Sequence, residues 1–163
     1  MVHVLETGLE FIPMENPNGK PAVRGYNIIN GQLTSASDGA TFKSTNPALL
    51  ADCLGEFPLS TRDDVRNALK AAHAAFADWA ATPAPTRGQI IGNMGRLLME
   101  HKDALVALET REIGKTLKES GGEIQEAIDT CLFFQSEGRR LYGQTVNSEL
   151  PDKELFTYRR PLG

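Results

Sequence analysis

Helical periodicity, repeated in three successive segments of the chain, constrains the fold more than any other feature of the sequence. The segments span residues 61–80, 86–113 and 121–142. Within each segment apolar residues recur at every third or fourth position, which places them on one face of an α-helix. We therefore expect three amphipathic helices. In the first, the apolar face comprises Val65, Ala68, Leu69, Ala72, Phe76 and Trp79, and Trp79 is expected to be a packing anchor.

Capping residues indicate where these helices begin and end. Thr61 is a residue type that caps a helix amino end, and Thr86 and Gln89 have the spacing of a capping box. We expect a bend near His101 inside the second helix. Gly114 is expected to stop that helix, since glycine readily adopts the left-handed conformation found at helix carboxyl ends.

The parts of the chain outside the helices predict short strands and turns. Residues 26–59 indicate small antiparallel strands, because an Asn-Gly pair marks a hairpin and Pro47 must end a strand, having no amide to donate. Residues 154–160 predict a strand that begins but is not completed. Residues 1–25, rich in Pro, Asn and Gly, are expected to form an amino-terminal arm.

Charge and composition exclude several classes of protein. The formal net charge of −4 argues against a nucleic-acid partner, which requires a basic surface. No apolar stretch is long enough to span a bilayer, and the first residues do not have the pattern of a signal peptide. The two cysteines do not resemble a disulfide framework. These features predict a soluble cytoplasmic protein without membrane or nucleic-acid partners.

No short motif in the sequence carries chemistry by itself. Glu123 and Glu126 lie one turn apart and could act as paired carboxylates, but a solvated helix face is the commoner arrangement. The glycines before the third helix could admit an anion, although a flexible helix entry is the simpler interpretation. Cys131 falls on an apolar face and is expected to be a small core residue. Cys53 has no neighbouring histidine or lysine in the sequence, so we assign neither cysteine a catalytic role.

The order of several segments nevertheless resembles one family. "INGQL", "STNPA", "FPLSTRDDVRNALKAAHAAFADW", "LETREIGK", "GEIQEAID" and "RRPLG" are similar, in order and spacing, to segments of the amino-terminal part of the aldehyde dehydrogenase superfamily. The resemblance runs from about residue 28 to the last residue. It implies an α/β fold, of which residues 26–163 would be an incomplete domain, mainly α-helical with short antiparallel strands.

The resemblance also implies a reaction and its requirements. Family members oxidise an aldehyde to a carboxylate with NAD or NADP, using a cysteine nucleophile and a general base, and a semialdehyde is one candidate substrate here. The matched segments contain none of these catalytic or cofactor-binding motifs, so this chain is expected to be inactive and to bind no cofactor alone. The full-length enzyme would be a homo-oligomer, with the strand at 154–160 forming one arm of its assembly ribbon.

Four residues acquire roles from the resemblance alone. Glu126 matches a carboxylate that faces the aldehyde entrance in a semialdehyde-oxidising branch, although an exposed helical glutamate is an equal alternative. Ser44, Thr45 and Glu112 match positions near a structural monovalent cation in some members, although a glutamate stands here where others have aspartate. No other metal site is expected.

Two alternatives to an enzyme segment remain open at this point. The chain could be a non-enzymatic helical module that binds a partner through a strand edge. It could also be one chain of a split enzyme that a separately encoded chain completes.

Overall fold

The computed structural model describes residues 22–162, and these divide into two compact units. Residues 22–74 and 106–120 form the first unit, and residues 75–105 and 121–162 form the second. The expected arm at 1–25 therefore lies almost wholly outside the described residues.

The first unit contains a small mixed sheet and a hairpin. Strands β1 (Val23–Arg24), β4 (Thr41–Thr45) and β5 (Cys53–Pro58) form a sheet in the order β1-β5-β4. β4 pairs antiparallel with β5, but β1 runs parallel to β5. The antiparallel pairing expected for residues 26–59 therefore holds for β4 with β5. β1 lies in the segment expected to be an arm, so the expected boundary at residue 26 is wrong.

The Asn-Gly hairpin is confirmed. Strands β2 (Asn27–Ile29) and β3 (Gln32–Thr34) pair antiparallel around Asn30 and Gly31. Both turn residues have positive φ, at 52° and 72°. This is the conformation that a two-residue hairpin turn requires and that an Asn-Gly pair tolerates.

The four helices of the described chain differ from the three expected ones in their boundaries. They are α1 (Arg62–Ala81), α2 (Ala84–Glu100), α3 (Lys102–Ile113) and α4 (Leu117–Glu137). The bend expected near His101 is a break between α2 and α3. Gly114, with φ of 76°, ends α3 and donates its amide to the Thr110 carbonyl, as expected.

The predicted capping box at Thr86 and Gln89 is wrong. α2 begins two residues earlier, at Ala84, with Pro85 in its first turn, and no side chain caps it. A proline fits this position because the first turn needs no amide donor. The Gln89 side chain instead donates to Asn93, one turn further along the same helix.

The expected start of the last helix at residue 121 is also wrong. Thr116 and Glu119 form a reciprocal capping box, in which the Thr116 amide and hydroxyl donate to the Glu119 carboxylate and the Glu119 amide donates to the Thr116 hydroxyl. This box starts α4 four residues early, so Gly121 and Gly122 lie inside the helix. The helix ends at Glu137 rather than at residue 142.

The last strands form a short ribbon in the second unit. β6 (Thr145–Val146) pairs antiparallel with β7 (Leu155–Phe156). β7 is much shorter than the strand expected at 154–160. Both strands are exposed along their length, Phe156 at 65%.

Candidate functional site

A buried ion pair anchors the loop between β4 and β5 to α3. Asp52 has no exposed surface, and its carboxylate accepts two hydrogen bonds from Arg111, from Nη2 at 2.9 Å and Nε at 3.1 Å. Asn46 Nδ2 donates to the same carboxylate at 3.2 Å. The Asp52 hydrogen bond raises the pKa of Arg111. Since both members are paired in a bidentate arrangement, the pair serves to fix the loop.

A second polar cluster caps α1. The Asp64 carboxylate accepts hydrogen bonds from the Thr61 amide at 2.7 Å and hydroxyl at 2.9 Å, and from the Ser37 amide at 3.2 Å. The Thr61 hydroxyl accepts in return from the Asp64 amide. The cap expected at Thr61 is confirmed, with Ser37 of the β3–β4 loop added. The pKa of Asp64 is lowered, mainly by the hydrogen bond from the Thr61 amide, although burial of the carboxylate acts to raise the pKa.

Glu126 lies exposed on α4. Among residues 22–162 no side-chain hydrogen bond or ion pair involves its carboxylate, so no neighbour fixes its direction. Glu123 lies on the same helix, three residues earlier. Nothing in the described chain joins the two carboxylates into an acid–base pair, and the role of Glu126 stays a prediction.

The three residues considered for a monovalent cation lie in the first unit. Ser44 and Thr45 are neighbours in β4, on either side of an irregularity in its pairing with β5. Glu112 is exposed on α3, beside Arg111. No hydrogen bond within the described chain links Glu112 to either strand residue. The cation site therefore also stays a prediction.

The two cysteines do not form a nucleophile site. Cys131 is 6% exposed and lies on α4 against α2, as expected for a core residue. Cys53 begins β5 and is half-buried. No group of three or more histidine, cysteine or acidic residues able to hold a metal occurs in the part of the chain that the structure describes. No helix there is long and apolar enough to cross a membrane.

Glycines, rather than the predicted apolar stripe, form the contact between α2 and α4. Gly88, Gly92 and Gly95 are buried, and a Cβ atom at Gly88 would lie 2.5 Å from the Gln135 carbonyl oxygen. The apolar residues that recur with helical spacing in residues 86–113 are largely exposed, at 47% for Ile90 and 48% for Met94. The sequence analysis missed this contact, although glycines at i, i+4 and i+7 are a recognisable pattern for close helix packing.

An open apolar groove of about 470 Å³ lies in the second unit. The end of α1 contributes Trp79, which is 42% exposed and so is not the buried anchor expected. The other lining residues come from α2, α4 and the turn after α4: Ala84, Arg87, Gly88, Ile91, Met94, Thr130, Cys131, Phe134, Glu137, Gly138 and Leu141. The lining is almost entirely apolar, with one cation and one carboxylate.

The comparison with known protein families assigns this chain to a family. The family model for the aldehyde dehydrogenase family matches residues 33–163, most of the chain. The chain belongs to the aldehyde dehydrogenase family. The resemblance of "LETREIGK" and the accompanying segments is thus confirmed.

Individual aldehyde dehydrogenases give the same result. The chain is 38% identical over 146 residues to the NADP(+) succinate-semialdehyde dehydrogenase of Escherichia coli, covering 90% of this chain and 30% of that protein. It is 36% identical over 137 residues to an alpha-ketoglutarate semialdehyde dehydrogenase of Haloferax volcanii, covering 84% and 28%. The structure of an NAD-dependent aldehyde dehydrogenase from Sinorhizobium meliloti matches with a TM-score of 0.79 and 26% identity, covering 88% and 30%.

The chain therefore spans about 30% of the length of the aldehyde dehydrogenases that it matches. The fold expected from the resemblance, a mainly helical part of an α/β enzyme with short strands, is confirmed.

Proposed function

We propose that this chain supplies the amino-terminal part of an NAD(P)-dependent aldehyde dehydrogenase that oxidises a semialdehyde to a carboxylate. The family match over residues 33–163 is the observation that carries the proposal. The semialdehyde class is supported by similarity to the succinate- and alpha-ketoglutarate-semialdehyde dehydrogenases. Whether NAD or NADP is used depends on residues outside the matched part.

In this proposal the described residues are a scaffold. NAD or NADP accepts hydride once bound to the full enzyme. A thiolate nucleophile needs a cationic or basic neighbour to activate it. Cys131 is instead buried against a glycine-lined helix. The chain alone is accordingly expected to be inactive.

We assign Glu126 a place at the aldehyde entrance of the full enzyme. Its exposure and its lack of side-chain partners within residues 22–162 leave the carboxylate available to a substrate. Near the entrance it would disfavour anionic substrates and so tune selection between semialdehydes, which carry a carboxylate, and neutral aldehydes.

The test is Glu126→Gln in the full-length enzyme, with Glu100→Gln as control, since Glu100 is equally exposed on α2. We expect the KM for a semialdehyde to fall about two- to fivefold in the first variant, with kcat unchanged, and the KM for a neutral aldehyde to stay the same. Equal effects on both substrates, or none, would refute the assignment.

The proposal also covers the assembly and the cellular location of the full enzyme. We propose a cytoplasmic homo-oligomer without nucleic-acid or membrane partners. The exposed apolar side chains of the β6–β7 ribbon, such as Val146 and Phe156, support burial of this ribbon against another subunit.

The experiment that tests the proposal is the intact mass of the species that carries this sequence in its source cells, detected with an antibody against residues 60–145. We expect a species several times heavier than 17.8 kDa, or a 17.8 kDa chain bound to the rest of a split enzyme. A free, monomeric 17.8 kDa species would instead favour the non-enzymatic helical module.

A further inference from the structure

The groove in the second unit combines a wide apolar surface with one charged side chain that has no ion-pair partner in the part of the chain that the structure describes. Several large apolar lining residues are well exposed: Met94 and Leu141 at 48% each, Phe134 at 54% and Trp79 at 42%. Exposed apolar patches of this kind in a soluble protein mark surfaces that another element covers.

Arg87 is the charged side chain that distinguishes this groove. It lies in the first turns of α2, is half-buried and lines the groove. Within residues 22–162 its guanidinium makes no hydrogen bond or ion pair with another side chain. The carboxylate in the lining, Glu137, is held by Arg140, whose Nε donates to it at 2.8 Å. Among residues 22–162 the groove therefore offers an unpaired cation and no unpaired anion.

The shape of the groove favours a polypeptide over a small ligand. Small-molecule sites are concave and enclose most of the ligand. Here α2 and α4 meet through Gly88 and Gly95, and the side chains on either side stand open to solvent. An amphipathic segment laid into a groove between helices matches such a surface.

We propose that this groove is the docking site for an apolar segment bearing an Asp or Glu, supplied by the remainder of the aldehyde dehydrogenase polypeptide, and that Arg87 pairs with that carboxylate. The inference rests on the proposed function, because the chain spans only 30% of its Escherichia coli relative and the larger part remains to cover its apolar surfaces. Covering Arg87 without an acceptor would leave a desolvated charge, and a carboxylate is the strongest acceptor for a guanidinium, so an acidic segment fits best.

Co-expression tests the proposal. The full 163-residue chain, tagged, is co-expressed with the probe: the Escherichia coli succinate-semialdehyde dehydrogenase lacking the part that this chain matches. We compare wild type, Arg87→Glu, Arg87→Gln and the control Arg96→Glu. Arg96 lies exposed on the same helix, outside the groove, and bonds only Asn93 there. Circular dichroism checks that each variant keeps its helices.

We expect the probe to co-purify with wild type and Arg96→Glu, and binding to fall about tenfold or more in Arg87→Glu and less in Arg87→Gln. A photo-crosslinking residue in place of Phe134 should then capture a probe peptide that contains Asp or Glu. If Arg87→Glu binds like wild type, or the crosslink joins two copies of this chain, the docking proposal is wrong while the proposed function stands. If the wild-type chain does not retain the probe, the docking proposal is wrong, and the intact mass of the species in the source cells decides the proposed function separately.

Discussion

At the scale of single residues, the ion pair of Asp52 and Arg111 is the feature least tolerant of substitution. An ionised carboxylate with no exposed surface is tolerated only while it is fully paired. The pair could not be predicted from the sequence, because its members are 59 positions apart and only the folded first unit brings them together.

Arg111→Met should therefore destabilise the chain by about 3–5 kcal/mol, since it leaves Asp52 buried without its cation. The control is Arg66→Met, which removes an exposed pair with Asp63 and should cost less than about 1 kcal/mol. Urea unfolding followed by circular dichroism measures both. Equal decreases in the free energy of unfolding would show that the buried pair contributes no more to stability than the exposed pair.

The cap at Asp64 predicts a pH dependence. Its pKa is lowered in the folded chain, mainly by the Thr61 amide. Folding thus favours the carboxylate, and the stabilisation is present above the unfolded pKa of about 3.9 and lost as the pH falls through the lower folded pKa.

We expect Asp64→Asn to lower the unfolding midpoint at pH 7, and the difference from wild type to shrink as the pH falls below about 4. The neighbouring Asp63→Asn is the control, because Asp63 is exposed and should change the midpoint little at any pH. A difference for Asp64→Asn that stays constant from pH 7 to pH 2.5 would contradict the assignment.

At the scale of elements, the sequence predicted helices well and their buried faces poorly. Periodicity located the helical regions of residues 22–162, since this signal is local. Capping residues placed the start of α1 and the end of α3 but not the starts of α2 and α4. The inward face of α2 was missed because glycines, and not the apolar stripe of Ile90 and Met94, contact α4. A prediction from periodicity assumes that the apolar residues of a helix are buried by the same chain. This assumption fails where the element that covers them is not part of the described residues.

The glycines of α2 and α4 predict opposite effects of the same substitution. Gly88→Ala should destabilise the chain by about 1–3 kcal/mol, because the new Cβ would lie 2.5 Å from the Gln135 carbonyl oxygen. This oxygen is a backbone atom and cannot move away as a flexible side chain could. Gly121→Ala should stabilise by about 0.5–1 kcal/mol, since that helical position has nothing within 4 Å of a new Cβ. Thermal unfolding measures both, and a stabilised Gly88→Ala would refute the close contact.

At the scale of the whole molecule, exposed apolar side chains are the dominant feature. Large apolar residues stand exposed in both units, Leu69 at 65% in the first and Phe134 at 54% in the second. Such surfaces are normally covered in a soluble protein, and they agree with a chain that spans about 30% of its relatives' length. The family could be predicted from the sequence, because the order of several short segments identifies it. The groove could not be predicted, because it forms only when three helices are placed against one another.

An activity measurement on the native material tests whether this chain is part of a semialdehyde dehydrogenase. An antibody against residues 60–145 precipitates whatever carries this sequence from its source cells, and the precipitate is supplied with NAD or NADP and with succinate or alpha-ketoglutarate semialdehyde. We expect reduction of the nucleotide that depends on the semialdehyde. A precipitate that contains the chain and reduces neither nucleotide with either substrate would contradict it.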